Sequence, residues 1–401
     1  MCAMRIGMLT DAYKPVTNGV TNSIALHKRQ LEAAGHTVMV FTWGSPQPED
    51  EAEHIIRSPA LPISDTGYHI SLRYSDVARQ QLQTMDLLHV HHPFVSGRLA
   101  LRYGKAWGLP IVYTNHTRYD LYAQHYLPPL SDALAEMLLR SYMPGFTAQC
   151  DLVVAPSPGL AAVLRDLGVT TPITIIPNGI DLASFRTPAQ PRWRTDFGWP
   201  AEAHVLIYTG RLSPEKNLDL LLRAFAAAQT ALPELRLLLV GDGPEAPRLR
   251  QQVAQMGLHP LVHFAGLRPY AEVPGYLAAA DAFITASVTE VHPLSVVEAL
   301  AAGLPVIGVN APGVNDLIEH GYNGLLALGD AASLAAHIVR LMADESLRAR
   351  LAAGARATSE RYSIERTTAE YLRHYEALVA LRTTDPQRSS AVHRPSSPTS
   401  P

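Results

Sequence analysis

The sequence predicts an α/β protein with two doubly wound parallel sheets, each in its own domain. Short runs rich in aliphatic and β-branched residues alternate with helical stretches along most of the chain. The alternation starts again at "HVLIYTGRL", residues 204–212, after a polar, Pro-rich interval that has no clear periodicity. The length of 401 residues also suits two domains better than one.

Strand and helix patterns alternate in the first series from the N-terminus onward. Apolar runs predict strands at 6–10, 37–42, 87–91, 111–115, 152–156 and 173–176. Between them, the spacing of apolar residues predicts helices at 22–34, 98–107, 130–148 and 158–167.

The second series repeats this alternation. It predicts strands at 205–209, 236–240, 262–265, 282–286, 305–309 and 324–327. The predicted helices are 218–230, 245–255, 270–280, 294–302, 314–320, 332–344 and 345–362.

These patterns divide the chain into an N-terminal domain at 1–180, a linker at 181–203 and a second domain at 204–363. A last helix at 364–383 is expected to return to the N-terminal domain. Residues 384–401, "TDPQRSSAVHRPSSPTSP", are rich in Ser and Pro and are expected to be disordered.

Composition narrows the possible classes of protein. Lys plus Arg number 33 and Asp plus Glu 36, and this balance of −3 gives no basic footprint for nucleic acid. The two cysteines, Cys2 and Cys150, provide no disulfide framework and suit a reducing cytoplasm. No run approaches the roughly 18 apolar residues of a membrane span, and the N-terminus lacks the apolar region of a signal peptide. We expect a cytoplasmic protein, either soluble or lying on the inner face of the plasma membrane.

Residues that directly follow strands are the candidates for ligand binding, because open α/β sheets bind ligands outside the carboxyl ends of their strands. Two facing sheets would form a cleft there. The first such loop, "TDAYKPVTNGVTNS", contains the turn pair Asn18-Gly19 before a helix. Gly19 would let backbone amides approach an anion at the helix N-terminus, although an ordinary turn explains it equally well. The loop lacks G-x-G-x-x-G, which argues against a dinucleotide-binding dehydrogenase.

Two loops of the second domain carry further candidates. In "GRLSPEKNLD", Arg211 and Lys216 follow a strand and precede a helix, so they are suited to clamp a diphosphate. The alternative is a solvated loop with a pair between Arg211 and Glu215. In "VGDGPE", Gly241 and Gly243 permit close approach of a ribose or base, or simply form a turn.

Histidines cluster after two strands of the first domain, in "HVHHPF" and "TNHTRYD". His89 and His91 share one face of their strand and His92 points away. A zinc site would need three or four converging ligands, and no cysteine or H-E-x-x-H motif supports one. His116 is the better functional candidate, since its imidazole could hydrogen-bond a polyol or move a proton. A structural histidine is the alternative.

The stretch "TEVHPLSVVEALAAG", residues 289–303, places two carboxylates around the start of a helix. Pro293 suits the beginning of that helix, so Glu290 lies in the loop before it and Glu298 about one turn inside. A ligand with hydroxyl groups at both ends and an anion on the helix N-terminus fits this arrangement, as a nucleotide sugar would. The alternatives are a helix-dipole acid at Glu290 and an exposed helix residue at Glu298.

Taken together, these segments resemble the retaining glycosyltransferases of family 4, which have the GT-B fold of two Rossmann-like domains facing across a cleft. The resemblance rests on "GRLSPEKN", "GDGPE", "YLAAADAFITAS" and "EVHPLSVVE", supported by "NGV" and "NHT". These motifs extend from about residue 5 to 330, which is nearly the whole of the ordered chain.

The resemblance implies a role for each matching residue. Arg211 and Lys216 would bind the donor diphosphate and stabilise the leaving group, and His116 would contact the transferred sugar. Glu290 would hold sugar hydroxyls, Glu298 the ribose, and Gly19 would approach the phosphates. The other expected donor-binding residues are Gly241, Gly243, His292, Pro293 and Leu294. The family also implies retention and no bound metal or other cofactor, with a UDP- or GDP-sugar as donor.

Proline at position 293 departs from the glycine-containing loop of many family members and removes one amide donor.

The stretch 118–146 resembles the acceptor side of bacterial diacylglycerol and phosphatidylinositol glycosyltransferases, and contains an amphipathic helix with Leu134, Met137, Leu138 and Tyr142, near Tyr126. Core packing is the preferred explanation for most of these apolar residues. A lipid acceptor with peripheral membrane association and a soluble saccharide acceptor both remain open, and a noncatalytic two-lobed sugar-binding protein is the alternative from another class.

Overall fold

The computed structural model describes residues 3–16, 18–62, 69–71, 73–119 and 132–384. Within this part, the chain forms two compact units. The first comprises residues 3–116, 132–177 and 365–384, and the second comprises 117–119 and 178–364. Each unit contains its own parallel sheet, so the predicted pair of doubly wound sheets is confirmed.

The first unit has a seven-stranded parallel sheet in the order β3-β2-β1-β6-β7-β8-β9. A two-stranded antiparallel pair, β4-β5, lies outside it. The strands are β1 Arg5–Leu9, β2 Thr37–Trp43, β3 Ile55–Ser58, β4 Leu61–Pro62, β5 His69–Ile70, β6 Leu87–Val90, β7 Ile111–Thr114, β8 Leu152–Ala155 and β9 Ile173–Ile175.

The second unit has a six-stranded parallel sheet in the order β12-β11-β10-β13-β14-β15. The strands are β10 His204–Thr209, β11 Leu235–Val240, β12 Val262–Gly266, β13 Ala282–Thr285, β14 Val306–Val309 and β15 Gly324–Ala327. Most of their side chains are buried, as expected for parallel strands covered on both faces.

Helices connect and cover these strands. They are α1 Gly19–Ala33, α2 Asp76–Leu82, α3 Val95–Trp107, α4 Asp132–Thr147, α5 Pro158–Asp166, α6 Leu182–Arg186, α7 Leu218–Ala231, α8 Ala246–Gln255, α9 Val273–Leu277, α10 Leu294–Ala301, α11 Ala331–Ala343, α12 Glu345–Ser359 and α13 Ile364–Thr384. Among the described helices, none combines the length and hydropathy that a membrane span requires.

Several predicted elements differ from the observed ones for identifiable reasons. The helix predicted at 22–34 begins at Gly19, because Asn18 caps it through a reciprocal hydrogen-bond pair with Thr21. The helix predicted at 314–320 is wrong. Those residues form turns, and the buried Val314 and Ile318 that suggested helical spacing pack against Gly308 instead.

The segment 181–203, expected to be a linker, is built into the second unit. It contains α6 and a 3₁₀ turn, and its Phe185 and Trp199 lie in the hydrophobic core of that unit. The backbone at Ile180 also pairs with Ser363. At the other end of the chain, Tyr371 and Tyr375 of α13 lie in the core of the first unit with Ile6, Val40 and Val112.

Candidate active site

In the second unit, β10 and β13 are neighbours whose connections run in opposite directions across the sheet. The loops that leave their carboxyl ends therefore flank the switch point, where open sheets bind ligands. Lys216 comes from the first loop and Glu290 from the second, and Nζ of Lys216 lies 2.6 Å from Oε1 of Glu290. Their side chains are 22% and 16% exposed, so this is a largely buried ion pair.

The pKa of Lys216 reflects two opposing effects. Burial of the ammonium lowers it, but the charge and hydrogen bond of Glu290, with smaller contributions from Tyr208 and Glu215, raise it above the ordinary value. Lys216 therefore remains a cation at any physiological pH.

Arg211 lies on the same loop as Lys216 and its side chain is exposed. Its carbonyl oxygen accepts a hydrogen bond from the Tyr208 hydroxyl at 3.0 Å. In the described part of the chain, no residue pairs with its guanidinium, and Glu215 instead accepts from Oγ of Ser213 at 2.6 Å. The alternative of a pair between Arg211 and Glu215 is therefore wrong, and the guanidinium is available to an anion.

The start of α10 leaves several amides without acceptors. Pro293 is the N-cap residue, and its carbonyl oxygen already accepts from the amides of residues 296 and 297. The amides of 291, 292, 294 and 295 donate to no acceptor among the described residues. Even without an N–H at 293, this helix start therefore supplies a group of free donors to an anion.

Glu298 is one turn into α10 and only 5% exposed, so it is not an ordinary exposed helix residue. Burial raises the pKa of its carboxyl to about 7, and a hydrogen bond from Tyr270 partly opposes this rise. At neutral pH the carboxyl is therefore divided between its protonated and ionised forms, and it can donate or accept a hydrogen bond.

His292 is 5% exposed, and its ring packs edge-on against Tyr362 with centroids 5.2 Å apart. Its carbonyl oxygen accepts from Nδ2 of Asn178, but neither ring nitrogen has a hydrogen-bond partner in another residue. Burial lowers the pKa of the imidazole to about 4, so the ring is neutral. The His292 side chain is therefore a neutral, buried group packed against Tyr362.

Three glycines allow backbone segments of the site to approach one another closely. A Cβ on Gly241 would lie 1.9 Å from the carbonyl oxygen of Gly210, and one on Gly243 would lie 2.4 Å from that of Leu212. Gly241 and Gly243 thus allow two neighbouring loops to pack together, in addition to any contact with a donor. Gly313, which the sequence did not single out, has the same function, since a Cβ there would lie 2.3 Å from the carbonyl oxygen of Glu290.

In the first unit, Gly19 and His116 follow different strands. Gly19 is the first residue of α1 and comes after the loop that leaves β1. His116 follows β7, and its Nε2 lies 3.0 Å from Nδ1 of His91, which follows the adjacent strand β6. Burial, and then nearby His92 and His27, lower the pKa of His116 to about 3.

The neighbouring histidines are hydrogen-bonded within the first unit. The rings of His89 and His91 are 4.2 Å apart, which agrees with their expected position on one face. His89 bonds to Thr114 and Tyr375, whereas Nδ1 of His92 bonds to Thr10 and to the amide of Asp11. Within the described residues, no group of three His, Cys, Asp or Glu side chains could hold a metal ion.

The amphipathic helix expected near the acceptor is α4. Leu134, Met137 and Leu138 are 39%, 57% and 52% exposed, so core packing was the wrong explanation for them. Tyr142 is half-buried and donates a hydrogen bond to the carbonyl oxygen of Pro93. Tyr126 lies outside the described residues.

Comparison with known proteins gives a consistent result for both units. The family model "Glycosyltransferase Family 4" matches residues 17–184, and "Glycosyl transferases group 1" matches residues 189–358. An alpha-monoglucosyldiacylglycerol synthase of Streptococcus pneumoniae is 32% identical, with 82% of this chain and 76% of the relative covered. The Acholeplasma laidlawii synthase of the same name is 30% identical, with coverage of 90% and 94%.

Among solved structures, HepE from Anabaena in complex with UDP and glucose has a TM-score of 0.75 and 22% identity. The match covers 93% of this chain and all of HepE. At that identity the likeness shows the fold alone, and it confirms the GT-B fold class that the sequence predicted.

Proposed function

The chain belongs to glycosyltransferase family 4, and we propose that it transfers a hexosyl group from a UDP- or GDP-sugar to a lipid acceptor, with retention and without a bound metal. The observation that carries this proposal is the meeting of Lys216 and Glu290 at the switch point, beside the free amides that begin α10. Cations, a carboxylate and free amides in one place match the diphosphate and hydroxyl groups of a nucleotide sugar.

We assign a role in donor binding or catalysis to each of these groups. The diphosphate binds the amides of 291, 292, 294 and 295, and Arg211 and Lys216 stabilise the negative charge that develops as the nucleotide leaves. Glu290 accepts hydrogen bonds from sugar hydroxyls while it orients Lys216. Glu298 bonds the ribose, and in the first unit Gly19 approaches the phosphates and His116 contacts the transferred sugar. Gly241 and Gly243 support the neighbouring loop.

The two glutamates are poorly suited to glycoside hydrolysis, which needs an acid and a base or nucleophile on either side of one bond. Glu290 is held in an ion pair, and Glu298 is buried on the helix. We therefore propose front-face substitution with retention and no protein nucleophile. The names of the two synthases support this stereochemistry, because they describe an α-linked product and the common hexosyl donors are α-linked.

The acceptor part of the proposal rests on a surface between α3 and α4, which we call the α3–α4 surface. It contains an open, shallow pocket of about 490 Å³ lined by Arg98, Leu101, Arg102, Lys105, Ser141, Tyr142, Gly145, Phe146 and Gln149. The three cations lie on one face of α3 and have no ion-pair partner among the described residues. The helix α4, whose Ser141 and Tyr142 line the same pocket, also carries exposed apolar side chains one to two turns earlier.

A basic face next to exposed aliphatic side chains is the combination that favours binding at a lipid surface. The relatives named alpha-monoglucosyldiacylglycerol synthases support the same interpretation. We propose that the α3–α4 surface brings the enzyme to the cytoplasmic face of a membrane, where a diacylglycerol or phosphatidylinositol-like acceptor is available.

A soluble acceptor is the second candidate. A D-inositol 3-phosphate glycosyltransferase of Acidothermus cellulolyticus is 30% identical over 92% of this chain. The cations of the α3–α4 surface would also suit an acceptor that carries a phosphate group.

The donor is tested by a thermal-shift and turnover screen of UDP-, GDP- and ADP-sugars, with and without EDTA. We expect one UDP- or GDP-hexose to bind and to react at an undiminished rate in EDTA. Loss of activity that Mg²⁺ or Mn²⁺ restores would contradict metal independence, and failure of every nucleotide sugar to bind or react would contradict a transferase.

The acceptor is tested with the donor identified in this way. Diacylglycerol and phosphatidylinositol in vesicles are compared with soluble inositol phosphate and free sugars, and the product's anomeric configuration is read by NMR. Vesicle binding is compared between the wild type and an Arg98→Glu, Arg102→Glu, Lys105→Glu variant. The control variant reverses three exposed cations of the second unit, Arg223, Arg250 and Arg340. Equal vesicle binding by both variants, or turnover only with soluble acceptors, would contradict the lipid proposal.

A further inference from the structure

The hydrogen bond between His91 and His116 determines which chemical form of His116 is present. Nδ1 of His91 lies 3.0 Å from Nε2 of His116, and the two rings are stacked with centroids 5.2 Å apart. Burial, followed by the other histidines of the cluster, lowers the pKa of both imidazoles, and that of His116 falls to about 3. Both rings are therefore neutral, and each has one N–H group and one lone pair.

Only two proton arrangements are compatible with this bond. Either Nδ1–H of His91 donates to Nε2 of His116, or Nε2–H of His116 donates to Nδ1 of His91. The second arrangement places the His91 proton on Nε2, which is buried and has no hydrogen-bond partner. Buried N–H groups without an acceptor are rarer than buried acceptors without a donor, so the first arrangement is favoured.

In the first arrangement, the second nitrogen of His116 carries the proton. Nε2 of His116 is the acceptor, so in a neutral ring the hydrogen is on Nδ1. In the described part of the chain, no residue is a hydrogen-bond partner of that Nδ1. It is available to a ligand.

We propose that His91 is a positioning residue that fixes His116 as the neutral Nδ1–H tautomer, so that His116 presents a hydrogen-bond donor to an oxygen of the transferred sugar. The sugar contact rests on the proposed function, whereas the tautomer does not. His116 then acts as a fixed dipole and does not exchange a proton during transfer, which replaces the proton-moving role considered from the sequence.

The tautomers are read directly by long-range ¹H–¹⁵N correlation spectra of protein labelled in its histidines. His91→Asn and His116→Asn variants assign the two sets of signals. We expect Nδ1–H for both residues in the wild type, and a loss of this fixed state at His116 in His91→Phe. An Nε2–H tautomer at His116 in the wild type would overturn the proposal, whether or not the protein proves to be a transferase.

Steady-state kinetics with the identified donor test whether His91 positions His116 or only fills space beside it. His91→Phe keeps the ring volume without the bond, whereas the amide nitrogen of His91→Asn can replace Nδ1–H. We expect the Phe variant to lose on the order of tenfold in kcat and the Asn variant to retain most of it, because tenfold corresponds to one modest hydrogen bond. If His91 only fills space, the Phe variant should retain more kcat than the Asn variant. That result would overturn the positioning role.

Discussion

Nζ of Lys216 lies 2.6 Å from Oε1 of Glu290, although 74 residues separate the two in the chain. The adjacency of β10 and β13 brings their loops together at the switch point. The free site therefore already contains a cation whose charge is balanced and whose position is fixed. Arg211, the second cation of the proposed site, has no internal partner in the described chain and would be available to a donor diphosphate.

Removing either cation should therefore impair transfer. We expect Lys216→Ala and Arg211→Ala each to lower kcat/KM by about 10²–10³, as for the loss of a donor that stabilises transition-state charge. Steady-state kinetics with the identified donor provide the measurement. Arg340→Ala, which removes an exposed cation of α11, is the control and should retain full activity. Normal rates in both clamp variants would show that these cations do not serve the leaving group.

Replacing Glu298 with Gln should change how stability depends on pH. The folded-state pKa is about 7, above the ordinary 4.5, so between these values the folded protein holds a proton that the unfolded chain has lost. The free energy of unfolding of the wild type therefore falls as pH rises through this window, by on the order of 3 kcal/mol at most. Glu298→Gln should not show this fall.

Urea unfolding of wild type and Glu298→Gln at pH 5 and pH 7.5 measures the difference. Glu345→Gln, an exposed change in the first turn of α12, is the matched control. A parallel pH dependence in the wild type and both variants would contradict the raised pKa.

His292→Phe should stabilise the second unit. The ring has no hydrogen-bond partner in another residue and packs against Tyr362, so an apolar ring of similar shape removes a buried polar group that no neighbouring residue satisfies. We expect the free energy of unfolding to increase by about 1 kcal/mol. Chemical denaturation provides the measurement, and His259→Phe, at an exposed position, is the control. A destabilised His292→Phe would indicate that the ring makes a polar contact through ordered water.

The free energy of unfolding of the first unit should fall at acidic pH. Burial lowers the pKa of His27 to about 4 and that of His116 to about 3, whereas the unfolded chain takes up these protons near pH 6.5. The free energy of unfolding therefore falls as pH drops below about 6.5, by about 1.4 kcal/mol per pH unit for each such histidine. The slope between pH 6 and pH 5 should decrease in His27→Gln and remain unchanged in the exposed His259→Gln. Identical slopes would argue against neutral burial of His27.

The sequence predicted most strands because each is a short apolar run between turn residues. It missed β3, where Arg57 interrupts the run. That arginine is buried in an ion pair with Asp50 at 2.9 Å, a partner that no local pattern identifies. The segment containing Phe185 and Trp199 looked like a linker because its few apolar residues follow no period, although two of them complete a core.

The individual residues of the candidate site were predictable from the sequence, but the contacts between them were not. Each of Arg211, Lys216, Glu290 and His116 follows a strand, and that position identified them. The sequence could not show that Lys216 pairs with Glu290 or that His116 bonds to His91, since both contacts depend on which strands are neighbours. The basic side of the α3–α4 surface was missed for a similar reason, because its cations and its apolar residues lie on different helices.

The last helix has a consequence for how the protein is made. The hydroxyl of Tyr375 lies 2.6 Å from Nδ1 of His89, and Tyr371 packs beside it, so α13 completes the core of the first unit. A ribosome synthesises these two tyrosines only after the entire second unit. During translation, the first unit therefore begins to emerge first but finishes folding last, because it needs α13. The second unit can complete its own core earlier.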